Sequence, residues 1–162
     1  MTWQQLLATN RAKPHKTSRQ ELDGLRAVVE RDLKDAAIAG LSEDRRFATA
    51  YNAVLQLATM AIACAGYRVS AKQGHHENTF TGLELVVGAP AAKLAKYFNT
   101  CRKKRNTVDY NLANIITSTE LHELLEKTTE FKELIENWIA KKHPQFARRA
   151  ASPRISAPDT FP

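Results

Sequence analysis

Apolar residues recur every three to four positions along most of this chain, the spacing of one face of an α-helix. The clearest apolar stripes run from Leu22 to Ile38 and from Leu121 to Trp138. An S-x-x-E sequence starting at Ser18 and a T-x-x-E sequence starting at Thr117 are typical of helix N-termini. Because we find no convincing alternation of apolar and polar residues, we predict no β-strand. The pattern therefore predicts an all-α fold, an antiparallel bundle of four to five main helices with short extra helices.

One apolar stretch is long enough to cross a membrane. Residues 47–66 contain no charged side chain over 20 positions, about the length of a membrane span. Asn52, Gln56 and Thr59 nevertheless form a polar line at helical spacing, and carboxamides oppose membrane insertion. We therefore expect the central, fully packed helix of a soluble bundle, capped by Ser42.

The organisation expected along the chain has three parts. A short helix, Trp3–Ala8, and a polar linker make up residues 1–17, and the helical domain occupies residues 18–143. Residues 144–162 show little periodicity and are expected to form a flexible basic tail.

Charge and cysteine content narrow the class of protein. The 162 residues carry a net charge of +7, and two cysteines at unrelated positions predict neither a disulfide framework nor a zinc site. The first residues lack the apolar core of a secretory signal, so we expect a cytoplasmic protein. We also expect no cofactor and no metal. Cations cluster at positions 102–105 and near the C-terminus. Such clusters suit a phosphate-bearing partner, although a solvated surface would have the same composition.

The helix predicted to start at Pro90 carries an arginine where apolar residues are expected. Its inward row, spaced by three and four residues, comprises Ala91, Leu94, Phe98, Cys101 and then Arg105. A guanidinium that points inward keeps its charge and needs a partner. That partner is either Asp109, one turn further on, or a phosphate bound in a cleft.

The run CRKKRNTVDYN (101–111), preceded by GHHENTF (74–80), resembles the HEPN superfamily of small helical proteins. The resemblance covers roughly residues 20–142 and implies a bundle of four or five helices that forms a homodimer. The family motif is an arginine, commonly followed by a polar residue, and a histidine separated from the arginine by four to six residues. In catalytic members two such motifs meet across the dimer cleft and cleave RNA without a metal.

Carried over by position, the motif gives three catalytic candidates. Arg105 matches the arginine, Asn106 its polar follower, and Tyr110 stands where the histidine would be. A phenol, with a pKa of about 10, is a poorer general base near neutrality than an imidazole near 6.5. The resemblance therefore implies weak cleavage or none. Arg102 and Lys104, from the cluster of cations at positions 102–105, are candidate contacts for RNA phosphates.

Two histidines are candidate substitutes for the missing imidazole. His75 and His76 fall in residues 67–78, which are expected to form a loop before a short helix from Thr79. They are candidates for substrate binding, and the alternative is that either one caps that helix or packs over the central helix.

Two carboxamides of the central helix are further candidates. Asn52 and Gln56 are expected to contact substrate, and both are expected, together with Tyr51, to hydrogen-bond Arg105 from the facing helix. It is equally consistent with the sequence that they bond to each other or join two subunits.

Two functions remain open. The first is a HEPN-like protein that binds RNA or a nucleotide phosphate at a dimer cleft through Arg105. Its enzymatic form would be a metal-independent, toxin-like endoribonuclease. The second is a non-catalytic dimeric module that docks a protein partner such as a nucleotidyltransferase, with Arg105 in a structural ion pair.

Overall fold

The computed structural model describes residues 1–109 and 113–149, with Asp109 as backbone only. These residues form six α-helices, two short strands and one turn of 3-10 helix. In chain order the elements are α1 (Trp3–Ala8), β1 (Ala12–Pro14), α2 (Arg19–Ala36), α3 (Glu43–Cys64), β2 (Tyr67–Val69), α4 (His75–Val87), α5 (Ala89–Asp109), α6 (Ser118–Lys142) and the 3-10 turn Pro144–Phe146. The predicted all-α class is confirmed, and helices α2 to α6 make up the bundle.

Helix α3 is the centre of the bundle. The Ser42 hydroxyl accepts a hydrogen bond from the Arg45 amide at 3.2 Å, which caps the helix as predicted. Its many alanines let α2, α4, α5 and α6 all pack against it. Among the described residues, α3 is the one helix long and apolar enough to cross a membrane, and 72% of its apolar window is buried. It is therefore the mostly buried central helix of the bundle.

Local capping sequences set the starts of two other helices. At α6 the Thr117 hydroxyl accepts from the Glu120 amide, and the Glu120 carboxylate accepts from the Thr117 amide, both at 3.1 Å. This is the complete capping box that the sequence predicted. At α2 the Ser18 hydroxyl accepts from the Glu21 amide at 3.1 Å. The Glu21 carboxylate binds the side chains of His15 and Thr17, so that box is only half formed.

The expectation that the chain has no strand is wrong. Strands β1 and β2 pair antiparallel in a two-stranded sheet, with Lys13 opposite Arg68. Each strand has three residues, too few for an alternating pattern to register in the sequence. Trp3 of α1 stacks on Tyr67 with ring centres 4.1 Å apart, and Leu6 is fully buried. The first 17 residues therefore pack on the helical body.

The start of the C-terminal segment also packs on the bundle. Arg19 donates to the carbonyl of Ala147 at 2.8 Å, and Arg26 donates to the carbonyl of Phe146 at 2.7 Å. Two arginines of α2 therefore bind backbone carbonyls of the segment that the sequence assigned to a flexible tail. Residues 150–162 lie outside the described part of the chain.

Candidate functional site

The inward row of α5 is confirmed up to its arginine. Ala91, Leu94, Phe98 and Cys101 are buried in the core, and Arg105, the next position in that row, is half-buried. The Phe98 ring packs against Phe80 and Phe131 of the neighbouring helices. This packing sets the rotation of α5, and the rotation in turn aims Arg105 toward α3.

Arg105 lies over an aromatic ring of the central helix. The carbon at the centre of its guanidinium is 5.5 Å from the centre of the Tyr51 ring, within the range of a cation–π interaction. Tyr51 is fully buried. Tyr51 is one of the three residues of α3 expected to meet Arg105, and the observed contact is made by its ring.

The same tyrosine binds a histidine of α4. The Tyr51 hydroxyl lies 3.1 Å from Nδ1 of His76, a hydrogen-bond distance. The prediction of a loop over the GHHEN segment is wrong here, because α4 starts at His75. The extra turn holds His76 against α3. Packing over the central helix, one of the roles considered for His76, is therefore observed. We call Arg105, Tyr51 and His76, together with Arg102, the arginine–histidine cluster.

Burial and charge set the protonation of this cluster. Burial raises the pKa of Tyr51 well above its usual value, although Arg105 and Arg102 act against that rise. Burial also lowers the pKa of His76, and the cations of Arg105 and Arg102 lower it further. Near neutral pH the cluster therefore contains a protonated phenol and a neutral imidazole beside a permanent cation.

Arg102 belongs to the cluster but already has partners. It forms an ion pair with Glu77 of α4 at 2.7 Å and donates to the Asn99 side chain at 2.9 Å. Its side chain is 15% exposed. The ion pair with Glu77 ties α5 to the first turn of α4, which fixes His76 relative to Arg105.

Lys104 lies apart from this cluster. It pairs with Glu120 of α6 at 3.1 Å and lines a separate cavity of about 380 Å³ together with Phe47 and Tyr97. Asn106 is half-buried in the last turns of α5. The structure thus brings Arg102 and Arg105 together with His76, and directs Lys104 to another face.

Asn52, Gln56, His75 and His76 all line one cavity of about 640 Å³. The polar line predicted along α3 therefore faces open space. Asn52 donates to the buried carboxylate of Asp32 at 2.6 Å, a partner that is not among the alternatives left open by the sequence. His76 is a member of the arginine–histidine cluster and also lines this cavity.

Two cations of the cavity wall were missed by the sequence analysis. Lys13 and Arg68 come from the two strands and line the same cavity. Nothing in the local sequence indicates that positions 55 residues apart are neighbours, since only the pairing of β1 with β2 places them there.

Some predicted site residues lie outside the described part of the chain. Tyr110, the third catalytic candidate, is one of them, and so is the Asp109 side chain that was considered as a partner of Arg105. Their roles remain predictions. Over the described residues, no group of three or more His, Cys, Asp or Glu side chains could hold a metal ion.

Comparison with protein-family models, curated proteins and solved structures finds no match to this chain.

Proposed function

We propose that this chain is a HEPN-like RNA-binding protein in which Arg105 contacts a phosphate and His76 supplies the imidazole absent at position 110. The observation that carries the proposal is that both side chains contact the same buried tyrosine, Tyr51. A guanidinium beside an imidazole is the combination that the family motif provides. Here the imidazole comes from α4 instead of α5.

The electrostatics of the cluster support binding of an anion. The guanidinium is half-buried, so its attraction for a phosphate is screened less than at an exposed position. It also presents several donors in a rigid fork that matches phosphate oxygens. The chain's net charge of +7 adds a general attraction for nucleic acid.

The neutral imidazole supports cleavage of RNA in particular. A His76 with a lowered pKa is unprotonated near neutral pH and can accept a proton from a ribose 2′-hydroxyl. For acceptance at Nε2, Nδ1 carries the other hydrogen and donates it to the Tyr51 hydroxyl. The 2′-oxygen then bonds to phosphorus while the bond to the 5′-oxygen breaks, which leaves a 2′,3′-cyclic phosphate. The imidazolium formed at His76 then gives the proton it accepted to the leaving 5′-oxygen, which returns the imidazole to its neutral form.

Binding and cleavage of RNA can be measured on the same variants. A labelled single-stranded RNA is mixed with protein in excess chelator, and anisotropy and gel analysis report affinity and products. We expect Arg105→Gln to weaken binding about tenfold or more, the value of one charge-assisted hydrogen bond. His76→Gln should keep affinity within about threefold and abolish cleavage. A DNA of the same sequence, which has no 2′-hydroxyl, should stay intact.

Lys103→Gln is the matched control, because it removes one cation from an exposed position on the same helix. It should change RNA affinity by less than about threefold. Equal background cleavage by the native protein, Arg105→Gln and His76→Gln would exclude the nuclease. If Arg105→Gln lowers the melting temperature and leaves RNA affinity unchanged, the alternative of a non-catalytic interaction module is correct.

We further propose that the chain is cytoplasmic and that it forms a homodimer, as the resemblance implies for the oligomeric state. Sedimentation equilibrium should give twice the chain mass of 18.2 kDa. A single protomer at micromolar concentration would contradict the shared cleft.

A further inference from the structure

The cavity of about 640 Å³ beside His76 is built from five elements. Its walls are α2, the polar line of α3, both strands and the first turn of α4. The volume lies within the roughly 300–1,000 Å³ typical of sites for small molecules and cofactors. The proposed RNA contact at Arg105 does not use this space, although His76 borders both.

Two cations in the cavity wall oppose each other across the sheet. Lys13 and Arg68 are direct register partners, so their side chains lie on the same face. Like charges directly opposite each other destabilise a strand pair. No ion pair joins either residue to another described residue, and both are exposed. An anion bound between them would relieve the repulsion.

One carboxylate of the cavity wall, Glu21, offsets only part of this positive charge. Glu21 interacts electrostatically with Arg68, but it also accepts hydrogen bonds from His15 at 2.8 Å and from Thr17 at 2.9 Å. His15 also lines the cavity and adds a third basic side chain to that end.

The opposite wall offers unused hydrogen-bonding groups. The carboxamide of Gln56 has no hydrogen-bonding partner among the described residues. Asn52 donates to Asp32 through Nδ2, which leaves its Oδ1 available as an acceptor. Together these carboxamides present both donors and acceptors, as the edge of a nucleobase requires.

We propose that this cavity binds one nucleotide unit, with its phosphate between Lys13 and Arg68 and its base hydrogen-bonded by Gln56 and Asn52. The unit is either a free mononucleotide or one residue of an RNA. The second case rests on the proposed function, because His76 would then lie between this nucleotide and the phosphate at Arg105.

Calorimetric titration with the four ribonucleoside monophosphates and with inorganic phosphate tests the site directly. We expect at least one nucleotide to bind tenfold or more tighter than inorganic phosphate, with a Kd below about 1 mM. Gln56→Leu should weaken that nucleotide about tenfold and leave phosphate binding unchanged, since only the base contact is lost. The double variant Lys13→Gln/Arg68→Gln should weaken both ligands.

Lys16→Gln is the matched control, because Lys16 is exposed next to β1 and does not line the cavity. It should leave both affinities unchanged, and melting temperatures should show that every variant is folded. Nucleotides that bind no tighter than inorganic phosphate would overturn the proposal. Unchanged nucleotide affinity in folded Gln56→Leu would overturn it as well.

Two further measurements show whether the nucleotide is free or part of an RNA, and they test the proposed function separately from this site. If Gln56→Leu weakens mononucleotide and RNA binding in parallel, the unit belongs to RNA. If it weakens only the mononucleotide, the ligand is free. Arg105→Gln should leave mononucleotide affinity unchanged. If Arg105→Gln leaves both the mononucleotide affinity and the RNA affinity unchanged, the proposed function is refuted and the cavity site is not.

Discussion

Tyr51→Phe removes one hydroxyl from the arginine–histidine cluster and keeps the rest of the side chain. The ring keeps its contact with Arg105 at 5.5 Å and its edge contact with Phe80 at 6.2 Å. Only the 3.1 Å hydrogen bond to Nδ1 of His76 is lost. The substitution therefore isolates the link by which α3 positions this imidazole.

The size of the effect follows from that hydrogen bond. A typical intramolecular hydrogen bond contributes about 0.5–1.5 kcal/mol to the free energy of unfolding. Tyr51 is fully buried, so no water replaces its hydroxyl and we expect a loss of about 1 kcal/mol. For a chain of this length that corresponds to a melting temperature about 2–4 °C lower.

Urea denaturation of four proteins measures this contribution: native, Tyr51→Phe, His76→Ala and the double variant. The coupling free energy between the two positions should be about 0.5–1.5 kcal/mol. Tyr67→Phe serves as a control, since Tyr67 is held by stacking on Trp3 and should lose almost nothing. Additive losses, or an unchanged urea midpoint for Tyr51→Phe, would refute the hydrogen bond and with it the positioning of His76.

Four other outcomes are expected. Arg105→Gln should raise the pKa of His76, because it removes a cation that lowers it, and an NMR titration of the imidazole checks this; an unchanged pKa would contradict the proximity of the two groups. The native pKa of His76 lies below its unfolded value of 6.5, so the unfolded chain binds the proton first and stability falls as the pH drops below about 6.5. His76→Gln should lose less stability than the native protein between pH 7.5 and 5.5. Gly82→Ala should cost about 1–3 kcal/mol of unfolding free energy, because the added Cβ would lie 3.0 Å from Trp3 and 3.1 Å from Ile62. On α2, a Cβ added at Gly24 would have no atom within 4 Å, so Gly24→Ala should raise the unfolding free energy by about 0.5–1 kcal/mol. Changes of the same sign in the two variants would contradict this packing. Arg26→Ala should lower the unfolding free energy by about 2 kcal/mol, since the ion pair it breaks joins α2 to α6 with both side chains only 12–13% exposed; an unchanged urea midpoint would show that this pair contributes nothing.

Local chemistry along the chain determined the capped helix starts of α3 and α6 and the inward direction of Arg105. Caps at Ser42 and Thr117 act within one helical turn, so short sequences suffice to place the helix starts. The row from Ala91 to Cys101 repeats with the helical period. Because one face of α5 must be buried, the same period directs the next residue of the row, Arg105, toward the interior.

Only the tertiary structure decided what surrounds that arginine. Helix α4 starts after Gly74 without a side-chain cap, so no local signal placed His76 on a helix. The sheet that brings Lys13 to Arg68 depends on pairing between distant segments, for which strands of three residues carry no pattern. Contacts between residues far apart in sequence depend on how the whole bundle packs, and periodicity within one helix holds no information about its neighbours.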